Sequence, residues 1–146
     1  MAGKYVFNAR VVFSFLSPEG NVSHIQYAKL FGDVRELFGL DVIPGFKDEV
    51  GKRYLLKTKE ASFNLNKDFF FGDTIQVQMS VVEVNGASFR LKADFVNPKT
   101  GVIHASATQL IVFANMEGRA VRLPEGLRRL LKGVMGPLET ETDDAA

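Results

Sequence analysis

Apolar and polar positions alternate along much of this chain, which is the pattern of half-buried strands. Residues 4–16 are rich in valine and phenylalanine and predict a first strand. The same criteria predict four further strands, over residues 50–66, 74–84, 87–96 and 102–114. The pair Asn85-Gly86 separates the second of these four from the third, and it is a strong signal for a β-hairpin. We therefore expect the four strands to form an antiparallel meander with one apolar face.

Between the first two predicted strands, apolar residues recur with helical spacing. These residues are Tyr27, Leu30, Phe31, Val34, Leu37 and Phe38. Ser23 is predicted to cap the helix and Gln26 to complete a capping box, while Gly39 followed by Pro44 predicts its end. The expected helix, residues 24–38, is apolar over much of its circumference and needs cover on most sides. One antiparallel sheet curled around it would supply that cover.

Length and composition are those of one domain with a large apolar core. The 146 residues predict a single domain over residues 1–135, with Pro124 starting a short last helix, and an acidic, disordered tail over residues 136–146. No cysteine is present, which excludes a disulfide framework and a thiolate metal site. The two histidines are far apart in sequence, so we expect no metal and no cofactor.

Charge and hydropathy bear on the expected partners and location of the protein. The formal net charge of +1 gives no reason to expect nucleic acid as a partner. No stretch of about 18 apolar residues predicts a membrane span. The N-terminal residues show no apolar run followed by a small-residue cleavage site, and with the lack of cysteine this predicts a cytoplasmic location.

Gly32 and Arg35 are unexpected in a helix that is built to be buried. Glycine costs a helix about 1 kcal/mol relative to alanine. Arg35 has no acid three or four residues away, since its neighbours at those positions are Phe31, Gly32, Phe38 and Gly39. A partly buried arginine without a partner is costly, so its partner must be a carboxylate or carbonyl from another strand or subunit, or a substrate.

Several markers in register resemble the hot-dog fold and, within it, the 4-hydroxybenzoyl-CoA thioesterase-like group. They are the turn Gly20-Asn21-Val22, Tyr27, the pair Arg35-Glu36, the run at residues 69–73 and the closing run at residues 122–127. Tyr27, Gly32 and Arg35 follow Asn21 by six, eleven and fourteen residues, as in thioesterases of enediyne polyketide pathways. The resemblance covers about residues 5–131. It implies an α+β fold in which one long helix is wrapped by an antiparallel sheet of about five strands.

The resemblance also implies an activity: hydrolysis of an acyl-CoA or acyl-carrier-protein thioester with a fatty, polyketide or β-ketoacyl chain. The catalytic roles then belong to Asn21, Arg35 and Glu36. Arg35 is always charged and cannot be the base, so Glu36 is the best-placed carboxylate if a base is needed. Many hot-dog thioesterases carry an aspartate three residues before the turn glycine, where this chain has Ser17. The enediyne subtype likewise works without that acid.

Substrate binding is expected at Gly20, Val22, Ser23 and Tyr27. The turn would deliver a thioester carbonyl to the free N–H groups at the helix start, which would stabilise the developing oxyanion. Each residue also has a structural explanation: an ordinary capped helix, a turn asparagine, a packed tyrosine and a solvated Glu36. Gly32 either allows close helix-to-sheet contact or leaves room for an acyl chain.

Two other functions stay open at this point. A hot-dog dehydratase would pair a histidine with an acid near the helix start, but His24 has only Asp33 far along the helix. A non-catalytic acyl-thioester-binding or assembly protein would have lost the base, and Ser17 favours it. The expected partner is the thioester substrate, not nucleic acid or a membrane, within a homodimer or homotetramer whose acyl site lies between subunits. A basic cluster would meet coenzyme A phosphates or an acidic carrier protein, or else form a solvated surface; it comprises Arg122, Arg128, Arg129 and Lys132.

Overall fold

The computed structural model describes residues 3–135, which form a five-stranded antiparallel sheet packed against one long helix. In chain order the elements are β1 (Tyr5–Arg10), a 3-10 turn (Phe13–Phe15), α1 (His24–Val42), α2 (Phe46–Glu49), β2 (Leu55–Leu65), β3 (Thr74–Val84), β4 (Ser88–Val96), β5 (Ile103–Ala114) and α3 (Glu125–Gly133). The α+β, hot-dog architecture is therefore confirmed. The acidic tail predicted over residues 136–146 lies outside the described residues.

The strands follow the order β1-β3-β4-β5-β2 across the sheet. β3, β4 and β5 form a meander, and Asn85-Gly86 turns the chain between β3 and β4 as predicted, with the Asn85 N–H donating to the Ser88 carbonyl at 2.7 Å. β2 is not part of this meander, because it crosses to the far edge and pairs with β5. The prediction that β2 to β5 form one meander was therefore wrong for β2. Alternation of apolar and polar residues identifies a strand, but it does not identify the strand with which it pairs.

Two predicted strands are shorter than expected. β1 ends at Arg10 because the chain then bends into the 3-10 turn at Phe13–Phe15. β2 begins at Leu55, since residues 51–53 form a turn that starts at Gly51, whose φ is +79°. The stretch lost from β1 is apolar because Val11, Phe15 and Leu16 pack into or against the core, not because they pair in the sheet.

α1 extends to Val42, beyond the predicted end at Phe38. Gly39 does not stop the helix but lies buried inside it, and an added Cβ there would be 2.5 Å from the ring of Phe46. The helix ends at Val42, and its C-cap residue Ile43 has an extended backbone just before Pro44. The close contact between a helix and its neighbour that a buried glycine permits is therefore made at Gly39.

The sheet covers one side of α1. The buried helix residues are Tyr27, Leu30, Phe31, Val34, Phe38 and Gly39. They share one core with sheet residues such as Ile75, Val77, Met79, Phe89 and Leu91. On the opposite side, Ile25 is 67% and Leu40 is 50% exposed. The expected cover on most sides of the helix is thus not provided by residues 3–135. Within residues 3–135, no helix is both long and apolar enough to cross a membrane.

Candidate functional site

The turn before α1 is fastened to neighbouring segments through the backbone of its last two residues. The Val22 N–H donates to the Phe69 carbonyl and the Ser23 N–H donates to the Phe15 carbonyl, each at 3.0 Å. The Ser23 hydroxyl accepts from the Gln26 N–H at 3.2 Å, which confirms Ser23 as the N-cap. Only half of the predicted capping box forms, because the Ser23 amide is already bound to Phe15. The amides of Val22 and Ser23, two predicted substrate-binding residues, are engaged within the fold.

The free amides lie one step further along, at the start of α1. The N–H groups of His24 and Ile25 have no hydrogen-bond partner among residues 3–135. They are donors of the kind that every α-helix leaves at its N-terminus, where the positive end of the helix dipole lies. The Ile25 side chain is 67% exposed, so this end of the helix is open to solvent. An oxyanion hole built by this turn of α1 would use His24 and Ile25.

Gly20 shapes the turn that leads to these amides. Its φ of +90° is in the left-handed region, and its N–H donates to the Ser17 carbonyl at 2.9 Å. An added Cβ would meet no atom within 4 Å. The backbone conformation therefore explains the glycine, and the space around it is compatible with the close approach of a ligand.

Asn21 is held from two directions by side chains. The Ser17 hydroxyl donates to Asn21 Oδ1, and Asn21 Nδ2 donates to Asp68 Oδ1 at 3.1 Å. These contacts fix which way the amide faces and use one of its two amide hydrogens. Asp68 was not a sequence candidate. The only local signal was its place as the acid directly before the marked run at residues 69–73.

The loop that carries Asp68 is pinned to β5 through His104. The His104 ring is 4% exposed and stacks on Phe69 with 4.1 Å between ring centroids. Its Nδ1 lies 3.0 Å from the Asp68 carbonyl oxygen, and its own carbonyl accepts from the N–H groups of Asn66 and Lys67 at 3.0 and 2.9 Å. His104 therefore supports the loop that carries Asp68.

Tyr27 combines packing with a place beside this carboxylate. It is 3% exposed, and its ring meets Phe95 edge-on at 5.2 Å between centroids. Burial, with a further contribution from the Asp68 charge, raises the pKa of Tyr27 to about 12. The Tyr27 hydroxyl therefore stays protonated at neutral pH.

Arg35 makes its contacts well away from this turn, on β2 and β5. One guanidinium nitrogen, Nη1, donates to Gln109 Oε1 at 2.9 Å and to Thr58 Oγ1, and Nη2 donates to the Leu56 carbonyl at 2.9 Å. The partner from another element is thus confirmed, and all three acceptors are uncharged. Burial lowers the pKa of Arg35, while the nearby Glu36 charge acts in the opposite direction. Arg35 forms no salt bridge among residues 3–135.

A groove of about 480 Å³ opens beside Arg35. It is lined by Gly32, Arg35, Glu36, Leu40, Phe46, Lys47, Val50 and Leu56. An added Cβ at Gly32 would meet no atom within 4 Å, so the explanation of Gly32 by close helix-to-sheet contact is wrong. The missing side chain instead widens this groove. Glu36 is exposed and lies on the groove wall, not at the helix start.

Asn21 and Arg35 do not meet within one chain. Asn21 lies before the start of α1, and the helical stretch from His24 to Arg35 alone is about 16 Å long at a rise of 1.5 Å per residue. Asn21 contacts the β2–β3 loop, whereas Arg35 contacts the strands β2 and β5. A site that contains both residues therefore needs a second subunit.

A family model describes most of this sequence. Residues 11–131 match the model of the thioesterase-like superfamily. The chain belongs to the thioesterase-like superfamily. A search of curated proteins finds no match.

Solved structures of other thioesterases share the fold of this thioesterase-like chain. The dynemicin thioesterase superposes with a TM-score of 0.82 at 24% identity, over 91% of this chain and 98% of that one. A gentisyl-coenzyme A thioesterase gives 0.76 at 21% identity, over 88% and 99%. A 1,4-dihydroxy-2-naphthoyl-CoA thioesterase from Synechocystis gives 0.81 at 14% identity, over 92% and 100%. At these identities the likeness concerns the fold alone.

The predicted basic cluster of this thioesterase-like protein divides into separate roles. Arg128 Nη2 donates to the carbonyls of Asn85 and Gly86 at 2.8 and 3.0 Å, which ties α3 to the β3–β4 hairpin. Arg129 pairs with Glu125 at 3.6 Å on the helix surface, where both side chains are largely exposed. The other two members, Arg122 and Lys132, are exposed. Within residues 3–135, no group of three or more histidine or acidic side chains is arranged to hold a metal ion.

Arg128→Met is expected to lower the free energy of unfolding by about 1–2 kcal/mol, because charged hydrogen bonds to two carbonyls are lost. Arg129→Met is the matched control on the same helix, and its exposed ion pair should change stability by less than about 0.5 kcal/mol. Urea unfolding followed by circular dichroism measures both. Equal losses in the two variants would contradict the role given to Arg128.

Proposed function

We propose that this protein hydrolyses an acyl thioester carried by coenzyme A or an acyl carrier protein. The observation that carries the proposal is the open helix start: two unpaired amides, at His24 and Ile25, beside the fixed amide of Asn21. Donors in this arrangement suit the oxyanion that forms when water attacks a thioester carbonyl. Membership of the thioesterase-like superfamily supports the same reaction class.

In the proposed reaction the carbonyl oxygen binds the amides of His24 and Ile25. The remaining amide hydrogen of Asn21 holds the attacking water or the thioester oxygen. Gly20 leaves the approach open, and Tyr27 closes the core behind the site. The water oxygen bonds to the carbonyl carbon, the carbon–sulfur bond breaks, and the thiol carrier and the acid are released.

Arg35 and Glu36 would join this site from a second subunit. The groove beside them offers apolar side chains and the Arg35 guanidinium, which forms no salt bridge among residues 3–135; this suits an acyl chain bearing a β-keto oxygen or a carboxylate. The fatty, polyketide or β-ketoacyl chains expected from the resemblance are therefore the proposed substrates.

We propose that two copies pair through their sheets, giving a homodimer or a dimer of dimers. β2 lies at one edge of the sheet, and residues 57–62 on it are all exposed. An exposed edge strand of this length is a surface that proteins normally cover. Thr58, an acceptor of Arg35, lies on this strand, so pairing there would enclose the Arg35 contacts.

Thiol release from a panel of acyl-CoA, β-ketoacyl-CoA and acyl-carrier-protein thioesters tests the activity. Asn21→Ala is expected to lower kcat/KM by about a hundredfold, as when one oxyanion-hole donor is removed. Asn8→Ala, at an exposed asparagine on β1, is the matched control and should leave kcat/KM unchanged. If the protein binds acyl-CoA but releases thiol from no thioester, the result would contradict the enzymatic function and favour a non-catalytic acyl-thioester-binding protein.

A further inference from the structure

Asp68 places a carboxylate beside the proposed site where the sequence indicated none. Its Oδ1 accepts from Asn21 Nδ2 at 3.1 Å, and Asn21 lies three residues before His24, whose amide is free. The second oxygen, Oδ2, accepts no hydrogen bond from any of residues 3–135. One oxygen of Asp68 is therefore positioned by Asn21, while the other is available to solvent.

The charge of Asp68 is not neutralised by a neighbouring cation. The salt bridges within residues 3–135 involve Arg90, Lys92 and Arg129, none of them with Asp68. The side chain belongs to an exposed residue, so water can reach it. A water molecule can therefore reach the carboxylate without displacing a cation.

The support beneath Asp68 is rigid. The His104 contacts described above and the bond from the Val22 N–H to the Phe69 carbonyl fasten the loop on both sides. A base must lie within hydrogen-bond reach of the proton that it removes, so such support favours a functional carboxylate.

We propose that Asp68 is the general base of the thioester hydrolysis, a role that rests on the proposed function. Asp68 Oδ2 takes one proton from water as the water oxygen bonds to the thioester carbon. The carbonyl electron pair moves onto the oxygen held by the amides of His24 and Ile25. When that pair returns, the carbon–sulfur bond breaks, and Asp68 passes its proton to the leaving sulfur to give the free thiol. The acid product then loses its own proton to solvent.

The other carboxylates of the region are placed less well for this role. Glu19 Oε1 lies 3.1 Å from the Ser17 hydroxyl, whose single hydrogen is directed to Asn21 Oδ1, and Glu19 makes no hydrogen bond to Asn21 itself. Glu36 would reach the free amides only from a second subunit, whereas Asp68 is held beside Asn21 within the same chain. Asp68 thus supplies from the β2–β3 loop the carboxylate that many hot-dog thioesterases carry at the position of Ser17.

Asp68→Asn keeps an oxygen that can accept from Asn21 but cannot act as the base. We expect it to lower kcat by about a hundredfold with little change in KM, as for the loss of a general base. The pH profile is the readout that a structural role would not change. A base must be deprotonated to act, so the wild-type profile of kcat against pH should have an acid limb, and this limb should vanish in Asp68→Asn. The titratable groups near Asp68 are Tyr27 from α1 and His104 from β5, which lies 3.0 Å from the Asp68 backbone carbonyl; Glu19 is connected to Asp68 only through Ser17 and Asn21.

Glu19→Gln is the competing variant and Glu117→Gln, an exposed acid far along the chain, is the control; both should retain wild-type kcat. If the acid limb of the pH profile persists in Asp68→Asn, the limb belongs to another group such as His104 or Glu19, and the proposal is overturned. The proposal is also overturned if kcat falls only in Glu19→Gln. If Asp68→Asn does not fold, Asp68→Ala with added formate replaces it: recovery of activity supports the base, and a folded variant without recovery overturns it. If the wild type and Asp68→Asn release thiol at the same rate, only the role of Asp68 as base is refuted. If the wild type releases no thiol from any thioester, the proposed function is refuted and the role of Asp68 with it.

Discussion

Arg35→Met is expected to lower kcat/KM for thioester hydrolysis by about a hundred- to a thousandfold, on the scale of lost electrostatic stabilisation at an active site. The guanidinium meets only uncharged acceptors, so its charge is available to a substrate in the groove beside it. Methionine keeps most of the volume and removes the charge. β-Ketoacyl thioesters should lose more activity than simple acyl thioesters, because the charge is proposed to bind the extra oxygen.

The matched control is Arg119→Met, which removes an exposed arginine and should leave kcat/KM unchanged. Urea unfolding must accompany the assay, because Gln109 is 8% exposed and loses its hydrogen-bond donor in the Arg35 variant. Folded Arg35→Met with wild-type kcat/KM for every thioester would show that the groove takes no part in the reaction.

Mixing subunits tests whether Asn21 and Arg35 act across an interface. Asn21→Ala and Arg35→Met are each expected to retain about 1% of wild-type activity or less when alone. If each site takes Asn21 from one subunit and Arg35 from the other, co-refolded dimers should recover about a quarter of wild-type activity, since half the dimers are mixed and each has one intact site. No recovery, with mixed dimers shown by mass spectrometry, would place the two residues in separate sites.

Gly39→Ala is expected to destabilise the protein by about 1–3 kcal/mol through overpacking. The new Cβ would lie 2.5–2.7 Å from three atoms of the Phe46 ring. That ring is only 8% exposed and forms part of the packing between α1 and α2, so it must move. The gain of about 1 kcal/mol in helix propensity does not offset a clash of this kind.

Gly32→Ala is the matched control, because it adds the same group to the same helix without meeting any atom within 4 Å. It should stabilise the protein by about 0.5–1 kcal/mol, since alanine is the better helix former. Urea unfolding of the two variants isolates the contact, because the propensity gain is common to both. Equal stabilities would show that Phe46 yields freely.

Features that depend on neighbouring residues were predictable from the sequence. Alternation located β3, β4 and β5 closely, the Asn85-Gly86 pair located the hairpin, and Ser23 located the start of α1. Each rests on spacing over a few residues, where side-chain direction follows directly from the backbone period. The markers around the turn and α1 also sufficed to indicate the thioesterase-like superfamily, which the match over residues 11–131 confirms.

Features that depend on distant residues were decided only by the tertiary structure. The sequence alone favoured Gly32 over Gly39 as the close-contact glycine, because the position of Phe46 is set by how α2 folds back onto α1. It could not place β2 beside β5, since strand pairing depends on the whole sheet. Asn21 and Asp68 are 47 residues apart, and Arg35 and Gln109 are 74 apart. A local sequence pattern does not specify contacts between such distant residues. The carboxylate of Asp68 beside Asn21 and the uncharged partners of Arg35 were therefore identified only from the tertiary structure.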